Sequence, residues 1–180
     1  MDPFLQPTLR DDVVALVPLA PDDFDALYAV ASDPLIWEQH PNPLRYQREV
    51  FQTYFDGAIA SGGALRAIDA KTDETIGCSR FYDLDEAGRT LTIGYTFLAR
   101  RCWGGTYNPA MKALMLAHAF QRVDRVLFHV GANNVRSRTA MGRIGGVLVG
   151  ELEVAYHGEQ VTKNVVFEIA KERWQLPLGG

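Results

Sequence analysis

Two arginines and two glycines stand where an extended segment gives way to a helix. The segment from Thr90 to Leu98 reads as a strand, and Arg100 and Arg101 follow it directly. Gly104 and Gly105 come next, immediately before a helical pattern. Glycines let backbone N–H groups approach an anion, and the unpaired N–H groups and the dipole of a helix N-terminus attract negative charge. The pattern predicts a receptor for a phosphorylated ligand.

The glycines do not match the two common nucleotide-binding loops. The dinucleotide fingerprint needs three spaced glycines, and the triphosphate loop needs a Lys followed by Ser or Thr after its last Gly. Neither pattern occurs here, so a nucleotide-binding protein of another fold is a remote alternative. An isolated glycine pair is also typical of an ordinary turn. The neighbouring arginines and the following helix favour the phosphate site.

Periodicity and turn residues predict the element order that must position this loop, β-α-α-β-β-β-α-β-α-β-β. The predicted strands are Val13 to Leu19, Leu65 to Ala70, Thr75 to Tyr82, Thr90 to Leu98, Arg125 to Val130, Val147 to Tyr156 and Val161 to Ile169. The first predicted helix begins at Pro21. Three further helices are predicted for Gln47 to Ala60, Asn108 to Arg122 and Asn134 to Ile144.

The whole chain is consistent with one domain spanning residues 1–180, with 47% hydrophobic residues. The formal net charge of −4 and the absence of basic runs beyond Arg100 and Arg101 argue against nucleic-acid binding. Cys78 and Cys102 form neither a disulfide framework nor a zinc pattern, and no metal site is expected. No basic-then-apolar leader and no apolar stretch of about 20 residues is present, so we expect a cytoplasmic protein that does not enter membranes.

The glycine loop resembles the acyl-coenzyme A (acyl-CoA) loop of the GNAT acetyltransferase superfamily, which reads Arg/Gln-x-x-Gly-x-Gly/Ala. Arg101, Gly104 and Thr106 fall on these positions, and Thr106 departs from the Gly or Ala that the family prefers. Gly105 beside it can supply the missing freedom.

Further motifs are similar to the RimJ/RimL-like branch of that superfamily. Ile93-Gly94-Tyr95 precedes the loop and Trp103-Gly104 lies within it. Asn134-Val135-Arg136-Ser137, followed at a distance by Gly145, resembles the Asn-x-x-Ser helix of the branch. The resemblance covers roughly Val13 to Trp174.

This resemblance implies an α+β fold with αβα layers, in which a mixed, mostly antiparallel sheet splits between its fourth and fifth strands and holds acyl-CoA. The backbone groups of Phe97, Leu98 and Ala99 are then expected to pair with the pantetheine arm, because strand edges need partners. The expected pyrophosphate loop consists of Arg101, Trp103, Gly104, Gly105 and Thr106, with Trp103 itself packing, and Arg100 is expected to help neutralise the phosphates.

Acyl transfer to an amine needs a base for the amine and an acid for the departing thiolate. Many relatives place a Tyr that acts as the general acid where this chain has Met141. Ser137 is the substitute that the branch suggests, although a first-turn serine can also simply support the helix cap. Asn134 is likewise a cap, a pantetheine ligand or both.

The base is less evident. Thr92 replaces a Glu that the branch often carries before Ile-Gly-Tyr. Glu38 and His40 lie in the loop expected to roof the acceptor pocket, so either is a candidate base, although a solvated loop is the commoner explanation of such residues. His118 is expected in the core. His129 is expected in a buried strand and is not a candidate base.

The resemblance implies an N-acetyltransferase that moves an acetyl group from acetyl-CoA to a primary amine: a protein N-terminus, an amino acid or a small amine. The alternative is a non-catalytic acyl-CoA-binding or regulatory module, because Met141 and Thr92 stand where proton-handling residues are common. The final hairpin, Val147 to Ile169, carries many apolar residues and predicts pairing between two subunits.

Overall fold

The computed structural model describes residues 2–155 and 161–174, and Tyr156, the expected last residue of one predicted strand, lies outside them. One eight-stranded sheet has the order β1-β2-β3-β4-β5-β6-β8-β7. Its strands are β1 (Leu9–Arg10), β2 (Val14–Pro18), β3 (Ala64–Asp69), β4 (Thr75–Asp85), β5 (Thr90–Leu98), β6 (Arg125–Gly131), β7 (Val147–Ala155) and β8 (Val161–Ala170). The helices are α1 (Phe24–Ala31), α2 (Arg48–Ser61), α3 (Tyr107–Ala119) and α4 (Val135–Arg143).

The sheet splits between β5 and β6, its one parallel pair among the described strands. Backbone pairing joins Thr90 to Arg125, Leu91 to Val126 and Thr92 to Leu127, and stops there. Both strands continue beyond this point, so a gap opens between them. The predicted split is confirmed, and its strands are β5 and β6 rather than fourth and fifth because the short β1 precedes them.

A bulge interrupts β5 just beyond the last residue that pairs with β6. Cys78 of β4 pairs with Phe97, whereas Arg80, two residues later, pairs with Gly94, so β5 carries one extra residue. Tyr95 in this bulge has a φ of 52°, in the left-handed region that non-glycine residues seldom adopt. The hydroxyl of Tyr54 donates a hydrogen bond of 2.5 Å to the carbonyl oxygen of Tyr95 and holds the bulge.

Helices cover both faces of the sheet. Phe97 packs with the buried residues of α1 and α2, while its neighbour Leu98 packs with those of α3. Consecutive strand residues point to opposite faces, so the two clusters lie on opposite sides of the sheet. Met141 of α4 joins the α3 side. The αβα layering is therefore confirmed.

The apolar spacing of α2 explains its placement. Phe51, Tyr54, Phe55 and Ala58 are buried at the i, i+3, i+4, i+7 spacing of a helix face. Gly62, with a φ of 63°, ends the helix in the left-handed conformation. The fully buried Trp37 packs against this face and against Phe97, which attaches the α1–α2 connection to the end of β5.

Candidate active site

A cavity of about 250 Å³ opens where β5 and β6 part. Its walls come from both strands, from the loop after β5, from one face of α3 and α4, and from the connection between α1 and α2. The split thus brings together segments that are far apart in the sequence.

The glycine loop presents open backbone to this cavity. Gly104 has a φ of 70°, and a Cβ built on Gly104 or Gly105 would meet no atom within 4 Å. Both glycines line the cavity, and α3 begins at Tyr107 directly after Thr106. The first N–H groups of a helix lack intrahelical partners. These features fit an anion such as the pyrophosphate of acyl-CoA.

Trp103 packs against both buried clusters and also lines the cavity. Its indole Nε1 donates a hydrogen bond of 3.0 Å to the carbonyl oxygen of Leu98. The guanidinium of Arg136 on α4 lies 3.8 Å from the centre of its ring. The indole therefore links the end of β5 to the helix on the other side of the split.

The side chains of Arg100 and Arg101 point away from the cavity. Arg100 forms an ion pair with Asp33. Arg101 forms ion pairs of 2.7 Å with Glu74 and 3.3 Å with Asp69. Neither arginine lines the cavity, so both tie the loop to neighbouring elements in this structure.

The acidic partner of Arg101 is itself well stabilised. A 2.7 Å hydrogen bond from the Tyr107 hydroxyl is the main cause that lowers the pKa of Asp69 to about 2, and Arg101 contributes as well. Asp69 is thus ionised at neutral pH and holds both ends of the glycine loop.

The end of β5 offers only part of its backbone to the cavity. Phe97 and Leu98 line it, and Ala99 does not. The N–H group of Ala99 donates to the carbonyl oxygen of Ile76 at 2.7 Å, so it is already used within the sheet.

Helix α4 contributes Ser137 and Met141 to the wall across the split. Asn134, 3% exposed, is the residue that caps the helix and also lines the cavity. The Ser137 hydroxyl makes no hydrogen bond with any residue in the two described ranges.

Of the two loop candidates for a base, His40 lines the cavity and Glu38 does not. The Glu38 side chain is exposed. Burial, together with the charges of Arg45 and Arg136, lowers the pKa of His40 to about 3. The imidazole is therefore neutral at physiological pH and a weak base.

Two polar residues of the cavity were not singled out from the sequence. His129 on β6 lines it, and its Nδ1 lies 3.3 Å from the Tyr82 hydroxyl. Lys112 on α3 lines it as well and is only 4% exposed. His129 alternates with apolar residues that enter the core, and Lys112 follows Asn108 by four residues, which puts both on the inner wall of the split.

Other kinds of site are not seen in the described ranges. No group of three or more His, Cys, Asp or Glu residues gathers there to hold a metal ion. None of the helices in those ranges is long and apolar enough to cross a membrane.

Solved structures share this architecture. A GCN5-related N-acetyltransferase from Brucella melitensis is 19% identical, with a TM-score of 0.78 over 94% of this chain and 80% of the other. An acetyltransferase of the GNAT family from Bacillus anthracis is 15% identical, with a TM-score of 0.74 over 93% of this chain and 100% of the other. RimJ from Mycobacterium smegmatis, solved in complex with CoA-disulfide, is 20% identical, with a TM-score of 0.71 over 96% of this chain and 89% of the other.

A search of curated proteins gave no match. The sequence model of the GNAT acetyltransferase domain, in contrast, matches residues 14–147, from the start of β2 to the start of β7. This range contains the split, the glycine loop and the Asn134 helix. The chain is therefore a member of the GNAT acetyltransferase family.

Proposed function

We propose that the protein is an N-acetyltransferase of the RimJ/RimL-like type, which moves an acetyl group from acetyl-CoA to a primary amine. The acceptor is a protein N-terminus, an amino acid or a small amine. The observation that carries this proposal is the cavity between β5 and β6, which ends at the open backbone of Gly104 and Gly105. The CoA-disulfide in the RimJ structure supports a CoA compound as the occupant.

In this proposal the backbone N–H groups of Gly104, Gly105 and the start of α3 bind the pyrophosphate. The N–H groups of Cys102 and Trp103 already donate to carbonyl oxygens of the preceding turn. Arg101 acts by holding the loop through Asp69 and Glu74. Arg100 supports the loop through its ion pair with Asp33 rather than by lining the cavity. Phe97 and Leu98 line the pantetheine segment, whereas Ala99 supports them through its bond to β4.

Bound acetyl-CoA supplies an activated acetyl group, and the chain supplies position and proton handling. Ser137 faces the cavity with a hydroxyl that can donate to the coenzyme sulfur, and Asn134 caps the helix and contacts the pantetheine arm. Aligning an amine over a bound thioester also lowers the barrier by several kcal/mol without a strong base.

For the base we favour His129, with His40 as the second candidate. If His129 donates from Nδ1 to the Tyr82 oxygen, its Nε2 is free to accept a proton. The low pKa of His40 makes it the weaker base. Glu38 is exposed and lies outside the cavity lining, which argues against direct contact with an amine.

The alternative, an acyl-CoA-binding module without turnover, remains because Met141 occupies the position of the family's acidic Tyr. Acetyl-CoA binding by calorimetry and CoA release with a mixed library of amines separate the two. Binding with amine-dependent CoA release supports the enzyme, and binding without release on any amine supports the module.

We also place the protein in the cytoplasm, where its two buried, unpaired cysteines would stay reduced.

A further inference from the structure

An amine lines the cavity, and no carboxylate among residues 2–155 and 161–174 pairs with it. Lys112 extends from α3, and its Nζ donates to Thr96 Oγ1 on β5 at 2.7 Å. On the other side, Nζ lies 5.8 Å from the ring centre of Phe128 on β6. The amine therefore lies against β5, beside the gap between the two strands that part, and its side chain lines the cavity.

The hydrogen bonds of this amine are incomplete when it is charged. Nζ donates to Thr96 and, at 3.3 Å, to Ser79 Oγ, while these two hydroxyls lie 2.8 Å apart. An ammonium group has three donors and no acceptor. Within residues 2–155 and 161–174 no acceptor takes the third N–H, and the ring of Phe128 is near the limit of a cation–π contact.

Packing alone does not explain a lysine at this position. Met111 and Met115 on the same helix are fully buried, so an apolar side chain suits these surroundings. Burying an amine without a carboxylate is costly, and burial here lowers the pKa of Lys112 to about 7. This cost in free energy indicates that the amine interacts with a ligand that occupies the cavity.

The surroundings of Lys112 indicate which part of a ligand it would meet. Asn108, one turn earlier on α3, also lines the cavity, and the glycine loop lies at the start of the same helix. The helix face thus leads from the phosphate end of the cavity to Lys112. Thr96 adjoins Tyr95, and both line the cavity together with His129, the base favoured above. Lys112 therefore lies on the thioester side of the slot.

We propose that Lys112 donates its third N–H to the acyl carbonyl oxygen of acetyl-CoA. This inference rests on the proposed function. In the transfer, the acceptor nitrogen bonds to the acetyl carbon, the C–S bond breaks with its electrons on sulfur, and the proton of the amine leaves through the base. Lys112 keeps its own protons throughout. Its charge faces the oxygen on which negative charge develops, which makes it a catalytic residue.

Binding of two ligands tests the contact without turnover. S-ethyl-CoA differs from acetyl-CoA in lacking the carbonyl oxygen. Below pH 7, where Lys112 is protonated in the folded state, we expect the wild-type protein to bind acetyl-CoA about tenfold more tightly in calorimetry, because a hydrogen bond from a charged group is lost with S-ethyl-CoA. In Lys112→Met this difference should disappear. The control Lys163→Met removes an exposed amine on β8 that pairs with Glu151, and it should retain the difference.

Equal affinities in the wild type, or a difference that persists in Lys112→Met, would overturn the inference. If Lys112→Met does not fold, Lys112→Leu, which also lacks a hydrogen-bond donor, gives the same comparison. An acetyl group on Lys112 after incubation with acetyl-CoA, seen by mass spectrometry, would also overturn it, since the amine would then be a nucleophile. If the wild type does not bind acetyl-CoA at all, the proposed function fails together with the inference. Normal binding and turnover without the difference defeat the inference alone.

Discussion

Asn134 accepts a hydrogen bond of 3.0 Å from the backbone N–H of Ser137 and thereby caps helix α4. The cap is thus made by the Asn134 side chain and the Ser137 backbone, and the Ser137 hydroxyl takes no part in it. A serine that only supported the cap would need its oxygen for that bond. The relationship separates the two roles that the sequence left open.

Ser137→Ala should therefore leave the cap intact and slow the chemistry. We expect a single-turnover rate of acetyl transfer lower by roughly ten- to a thousand-fold, if the hydroxyl donates to the departing sulfur. The melting temperature and the acetyl-CoA dissociation constant should stay near their native values. A normal chemical step in this variant would remove Ser137 from the mechanism, and the proton would then have to come from water or a tyrosine such as Tyr95.

Gly104→Val should weaken acetyl-CoA binding. The φ of 70° disfavours a β-branched residue, and the new side chain would occupy the open space in front of the loop. We expect the dissociation constant to rise at least tenfold by calorimetry, while the melting temperature falls only slightly. Gly150→Val is the matched control, because a Cβ at Gly150 also meets nothing and the residue lies on β7, away from the cavity. Unchanged affinity in a folded Gly104→Val protein would reject the loop as the phosphate site.

His129→Gln should remove an acid limb from the pH profile. Burial lowers the pKa of His129 below its usual 6.5, against a smaller opposing effect of Asp83. A base must be unprotonated, so the wild-type rate should begin to fall only below pH 6.5 as the pH decreases. The variant should lose that limb and about 10²- to 10⁴-fold in rate. An unchanged limb would shift the role to another group.

Lys112→Met should change how stability depends on pH. The folded state lowers the pKa of Lys112 from 10.5 to about 7, so between these values the unfolded chain binds a proton that the folded chain does not. Stability of the wild type therefore gains from rising pH in this window, and the penalty of burying the charge is full below it. Relative to the variant, the wild type should be less stable near pH 6 than near pH 10, by a few kcal/mol in urea unfolding. If the difference in unfolding free energy between wild type and variant does not change with pH, folding does not lower the pKa of Lys112.

Pairing of two subunits remains a prediction, and β7 is the surface to test. Val147, Leu148 and Val149 are 48%, 52% and 53% exposed on this strand at the edge of the sheet. Unpaired edges with apolar side chains favour association. We expect a dimeric mass by light scattering at micromolar concentration, and a monomeric mass for Leu148→Glu. A monomeric wild type would count against this interface.

The elements were largely predictable because their signals are local. Asn134 marked the start of α4, and the buried spacing of α2 followed from its apolar residues. The strand Leu9–Arg10 is too short to show alternation and was missed. The helix expected from Pro21 begins as a short 3₁₀ turn, with α1 starting at Phe24.

The site was less predictable because its geometry depends on distant pairings. The glycine loop could be located from residue type, but the carboxylates that hold the Arg101 side chain lie 27 and 32 residues away. Whether His129 faces the core or the cavity depends on where β5 and β6 stop pairing. Lys112 stands among apolar helix residues, so only the gap between the strands distinguishes it from an ordinary surface lysine.

The split also sets the order in which the binding slot can be completed during synthesis. Strand β6 forms three backbone pairs with β5 but seven with β8, Arg125 to Gly131 against Asn164 to Ala170. The far wall of the slot is therefore held mainly by a strand that leaves the ribosome after every residue of the site. Domains generally fold as units during translation. A nascent chain that already carries the glycine loop, the capped helix and both candidate bases still lacks a fixed slot until β8 has emerged.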